Sequence, residues 1–253
     1  MLITNEAERL VTSIGKTIVT YFNQYSLEEI YTVFTNEDFP FDNKLFNKKD
    51  IERINSAING VEKYKILKQI VIEKLNATNN RLEYYYWIVR EWGGIINFKK
   101  TNNDINDFLK SIKNGKLNSI QIGTISSYSK IISFLEPTDY FIFDSRVAYV
   151  LNWLLLKNYN KDNKYFIVPS GRNSDLVKYN IDTIINLYEK NNEKKYYSKK
   201  DMYFIYCEFI KLLFQKTKSE IIKEPYYIEM MLFGLFDKIC MPEIKTKVKI
   251  IIE

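Results

Sequence analysis

Lys130 and Asp144 stand 14 positions apart in the segment SKIISFLEPTDYFIFDSRVAYVLN, residues 129–152. A fixed carboxylate can stabilise a carbon on which positive charge develops, and can orient or deprotonate an attacking water. A lysine amine can attack an electrophilic carbon, provided burial or neighbouring cations leave it unprotonated. It can equally bind a phosphate or stay solvated. The sequence leaves all three readings of Lys130 open. Asp144 also has two compatible readings, helix capping alone or capping together with catalysis.

Two of only six arginines fall beside these motifs: Arg146, and Arg172 followed by Asn173 in PSGRN. The planar guanidinium fork suits phosphates and base edges. Surface solvation or a helix-end ion pair is the alternative. Lysine outnumbers arginine 31 to 6 and there are 25 asparagines. With abundant Ile and Tyr, this suggests an AT-rich genome, so lysine and asparagine clusters carry less weight than arginine does.

The elements around the two residues follow from periodicity. Ile125, Tyr128, Ile132 and Leu135 make one apolar helix face, and Lys130 points roughly opposite it. Pro137 ends that helix. Val147, Val150, Leu151 and Leu154 then recur at i, i+3, i+4, i+7 spacing, so Asp144 becomes the N-cap of a second helix. There its carboxylate meets free backbone N–H groups and the positive end of the helix dipole, a setting that favours negative charge.

Helical spacing extends over most of the chain. Helices are expected over 5–24, 27–34, 49–58, 61–75, 80–92, 103–112, 124–135, 145–157, 174–190, 200–215 and 226–239. Short extended pieces are expected near 140–143 and 165–168. The class is therefore all-α. Aromatic residues crowd the helix over 80–92, where Trp87 and Trp92 lie between or beside arginines. Such a helix is either core or a stacking surface. Glu229 reads as a helix-surface or capping acid. The basic segments 190–200 and 245–249 are solvated loops or phosphate contacts.

Composition excludes several chemistries. With no His among 253 residues, a His triad, His metal site or His general base is impossible. Cys207 and Cys240 are too few for a four-Cys zinc or iron–sulfur site. They also make no disulfide framework, which fits a reducing cytoplasm. No apolar run reaches the roughly 18 residues of a membrane helix, and the polar start lacks a signal-peptide pattern. The net charge is +6, mildly basic.

The segment 129–152 resembles the core of the helix-hairpin-helix DNA glycosylase superfamily. FIFDSRVAYVL matches the hydrophobic-x-hydrophobic-Asp context of that family's Asp, and SKII places Lys130 where bifunctional members keep a Schiff-base Lys. The resemblance covers about residues 119–174. The family's glycine-rich hairpin is eroded, with Ser126 and Tyr128 where two glycines would fall. The Lys–Asp interval is a few residues shorter than is common.

The resemblance implies two helical lobes around a central cleft faced by Lys130 and Asp144. Residues 1–100 would form an N-terminal lobe, 101–190 the core, and 191–253 helices packing back on it. It implies excision of a modified or damaged base, flipped out of DNA, by a cytoplasmic monomer needing neither cofactor nor metal. Asp144 and Lys130 would be catalytic, with Arg146, Arg172, Asn173, Trp87 and Trp92 binding DNA. The atypical hairpin leaves two settings open, DNA repair and antiviral defence against modified viral DNA. A nucleic-acid-binding module without chemistry and a helical protein-interaction scaffold are the alternatives.

Overall fold

The computed structural model describes residues 2–31, 44–171, 173–188 and 195–248. They are predominantly helical, and the all-α expectation holds. The one β feature among them is an isolated parallel bridge between Tyr165 and Tyr196. The chain forms two compact units. One combines Met1–Ser26 with Phe143–Glu253, and the other is the continuous segment Leu27–Ile142. These boundaries fall elsewhere than positions 100 and 190, because the first helix takes its partners from the far end of the chain.

In the discontinuous unit, Leu2–Leu10, a π-helical turn Val11–Gly15 and Lys16–Gln24 run on without a break. The first of these packs on the helix Met202–Thr217. Gly15 lets the π-helical turn approach the same helix, since a methyl there would lie 3.1 Å from Leu213 Cδ1. The helix Ser145–Lys157 is the centre of this unit. Its residues 147–155 are all buried, because it packs on Tyr226–Leu235, on the π-helical turn Phe236–Cys240 and on Ile181–Tyr188. Asn152 within it is fully buried and satisfied. Its amide accepts from the Phe166 N–H and donates to the Phe166 carbonyl, both at 2.8 Å. This pins the extended segment beside Tyr165 to the helix. No described helix is long and apolar enough to cross a membrane.

In the continuous unit, side-chain caps start the helices where the sequence supplies them. Asn47 and Asp50 close a reciprocal box at Lys48–Asn55, Thr101 and Asp104 at Asn102–Lys113, and Asn118 and Gln121 at Ser119–Gly123. The helix Ile125–Leu135 lacks a side-chain cap. It packs on Gly60–Ala77, on Asn102–Lys113 and on the π-helical turn Trp87–Trp92, which continues Arg81–Tyr86. Tyr128 stacks on Phe108 with ring centroids 4.4 Å apart. Being covered on several sides, this helix hides nine of its eleven residues, Lys130 among them.

Candidate functional site

Asp144 caps Ser145–Lys157 as the spacing predicts. Its Oδ1 accepts from the N–H groups of Arg146 and Val147, both at 3.0 Å. The residue is half-buried, and no donor among the described residues engages Oδ2. Among the described residues, one oxygen therefore fixes the carboxylate and the other accepts no hydrogen bond. Behind it the chain is packed into the core. Phe143 is fully buried, with its ring 5.0 Å from that of Tyr206.

Tyr206 lies inside the unit, and burial holds its phenol well above the ordinary range. The nearby charges of Glu229, Cys207 and Asp144 push in the same direction. Asp144 thus has a neutral, protonated phenol in its vicinity. Glu229 is a correction. It is only 3% exposed, because its helix Tyr226–Leu235 is buried on nearly every side and offers no surface position there. The signal was present in YIEMMLFGL, where apolar residues flank the acid on all faces.

Arg146 is half-buried and turned toward the following helices. It pairs with Asp237 at 3.3 Å and lies over the rings of Phe233 and Phe236 at 4.9 and 5.8 Å. Asn173 caps the short helix Ser174–Lys178, accepting from the Asp175 N–H at 2.8 Å. The loop before it is seated on the start of the Asp144 helix. A methyl on Gly171 would lie 2.9 Å from both Ser145 Cβ and Leu176 Cδ1. Arg172 lies outside the described residues. A polar groove of about 960 Å³ occupies another part of this unit, lined by Asn5, Arg9, Ser13, Asn160 and Lys164 among others. Asp144 does not line it.

Lys130, Trp87 and Trp92 belong to the continuous unit. Lys130 is 7% exposed, rather than standing out opposite an apolar face. Its stem runs against the backbone that ends the π-helical turn, where a methyl on Gly93 would lie 2.6 Å from Lys130 Cδ. Among the described residues no hydrogen bond or ion pair engages its amino group. Trp87 is core, 1% exposed and 4.7 Å from Phe46 between ring centroids. Trp92 is half-buried. It stacks on Tyr64 at 5.5 Å with the planes 3° apart, and meets Phe134 edge-on at 5.0 Å.

A second lysine is buried in this cluster. Lys68 is 2% exposed, donates to the Ser133 carbonyl at 2.7 Å, and lies over the rings of Tyr64 and Phe134 at 4.6 and 4.7 Å. Nothing in the sequence singles it out, since it is one of 31 lysines until the rings of Tyr64 and Phe134 are in place around it.

Compared with protein-family models, with curated proteins and with solved structures, the chain matches none.

Proposed function

We propose that this protein is a DNA glycosylase that removes a modified or damaged nucleobase by hydrolysing its N-glycosidic bond. The observation that carries the reading is Asp144, a carboxylate fixed through one oxygen at a helix N-terminus with the other oxygen unengaged among the described residues.

In this reaction the C1′–N bond breaks and its electron pair leaves with the base. Positive charge develops on the deoxyribose ring. Asp144 Oδ2 stabilises that charge and takes a proton from the water that adds to C1′. Neither His nor metal is needed for this. Lys130 adds a second step, in which its amine condenses with the aldehyde of the abasic product and permits strand cleavage by β-elimination. Arg146, Arg172 and Asn173 contact the DNA, and Trp92 offers an aromatic edge near the Lys130 stem. Repair of damaged DNA and attack on hypermodified viral DNA use the same chemistry and differ only in the base recognised.

The test is release of free base, read by mass spectrometry, from a panel of damaged and virally modified DNAs. Abasic sites are counted in parallel, and wild type runs beside Asp144→Asn. Base release by wild type that disappears in Asp144→Asn is the expected result. Release that persists in the variant would overturn the assignment of Asp144. DNA binding without any base release across the panel favours the non-catalytic binding module.

A further inference from the structure

The helix Ile125–Leu135 is two-faced in residue type but not in burial. Ser129 and Ser133 are fully buried, and Lys130 nearly so. Ser133 is fully used. Its hydroxyl donates to the Lys130 carbonyl at 2.9 Å and its own carbonyl accepts from Lys68. Ser126 differs. Its hydroxyl oxygen is shut away from solvent and has no hydrogen-bond partner among the described residues. A buried hydroxyl left unpaired is costly, and each such group asks for an explanation.

Lys130 is the fourth residue after Ser126, so the two share a helical face one turn apart, with Cβ atoms about 5–6 Å from each other. Long helical side chains lean toward the helix N-terminus. Lys130 therefore leans over the turn that carries Ser126. Its stem is held by the bare backbone at Gly93, while its amino group is unengaged among the described residues. One donor–acceptor group and one amine, both unspent, thus lie within a side-chain rotation of each other.

We propose that Ser126 is the positioning residue for Lys130. This rests on the reading of Lys130 as the amine that takes the aldehyde of an abasic deoxyribose. Ser126 Oγ accepts one N–H of the neutral amine, which leaves the nitrogen lone pair directed outward. The lone pair attacks C1′, the carbonyl electron pair moves to oxygen, and one proton passes from nitrogen to that oxygen to give the carbinolamine. A proton from solvent then joins the hydroxyl, the C1′–O bond breaks, oxygen leaves as water, and the nitrogen lone pair closes a C=N bond that keeps the remaining N–H as the protonated imine. Ser126 is unchanged at the end.

The test uses the whole protein and an oligodeoxynucleotide carrying a preformed abasic site, with cyanoborohydride to reduce the C=N bond into a stable adduct. Wild type, Ser126→Ala, Ser126→Thr and Lys130→Gln are compared at saturating DNA across pH. Ser126→Ala is expected to form adduct about 10-fold more slowly or worse, as misorientation of a reacting group does. Its pH profile shifts, while its melting temperature is equal to or above wild type because an unpaired hydroxyl has been removed. Ser126→Thr restores the rate. A Ser126→Ala rate equal to wild type would overturn the role of Ser126 and leave the Lys130 reading standing. Adduct formation by Lys130→Gln, or none by wild type, would remove the amine reading and the role of Ser126 with it.

Discussion

Substitution can separate the cap that Asp144 forms from the catalysis proposed for it. Asn caps a helix as well as Asp does, whereas Ala does not. Asp144→Asn should therefore keep its urea midpoint, and Asp144→Ala should lose about 1 kcal/mol, the usual value of a cap. Both should lose base release, because both lose the charge. Midpoints that fall equally in the two variants would mean that the carboxylate stabilises the fold by something other than capping. Asp144 was readable in the sequence because its role begins with local geometry: an Asp directly before an i, i+3, i+4, i+7 apolar series can hardly be placed elsewhere. Lys130 was readable as a candidate but not in its setting. Its burial depends on Gly93, 37 positions away, and no local pattern carries that. Ser126 was missed for the same reason, since burial on every side of a helix is a property of its neighbours, whereas the apolar residues around Glu229 already carried its signal.

The helices themselves show where periodicity stops being informative. The spacing over 5–24, 80–92 and 226–239 predicts plain α-helices, and each contains a π-helical turn instead. One extra residue per turn leaves the apolar series nearly intact, so composition does not reveal it. The helix expected over 174–190 is broken after Lys178, and Asn180 accepts from the Thr183 N–H at 3.0 Å to begin the next one. Two points can be tested at this scale, one strained and one closely packed. Lys218 ends Met202–Thr217 with φ 42° and ψ 40°, a left-handed conformation that glycine adopts without a Cβ penalty. Lys218→Gly should stabilise the protein by about 0.5–1 kcal/mol in urea unfolding. Gly171→Ala should cost about 1–3 kcal/mol, since the added methyl has to displace Ser145 or Leu176. An unchanged midpoint would show that the loop before Asn173 yields without disturbing the Asp144 helix.

For the molecule as a whole, missing histidine and buried tyrosine set the response to pH. No side chain of ordinary acidity titrates between about pH 6 and 8, so unfolding free energy should be flat there. Burial holds the phenols of Tyr203 and Tyr206 and the Cys240 thiol well above their ordinary values, and pushes Tyr21 and Tyr128 up to about 12. These groups stay protonated when folded and ionise first in the unfolded chain. Stability is thus fully present below about pH 8.5 and is lost as pH rises through 9 to 12. Each deeply buried phenol steepens the fall by about 1.4 kcal/mol per pH unit above pH 10. Tyr21 and Tyr128, raised only to about 12, stop adding to the fall once pH passes that value. Urea titrations from pH 6 to 11 check the sign, and a rise above pH 10 would contradict it. The division into units carries a different consequence, one of timing. The helix that begins at Leu2 packs on Met202–Thr217, and Met202 follows Gln24 by 178 positions. At roughly 5–20 residues per second of synthesis, the first helix waits about 9–36 s for its partner. Over that interval the segment Leu27–Ile142 is already complete and free to fold, while Ala7 and Leu10, on the stretch that packs on Met202–Thr217, still lack that partner. The discontinuous unit therefore depends during its birth on whatever shields an apolar helix at the ribosome, and the continuous unit does not.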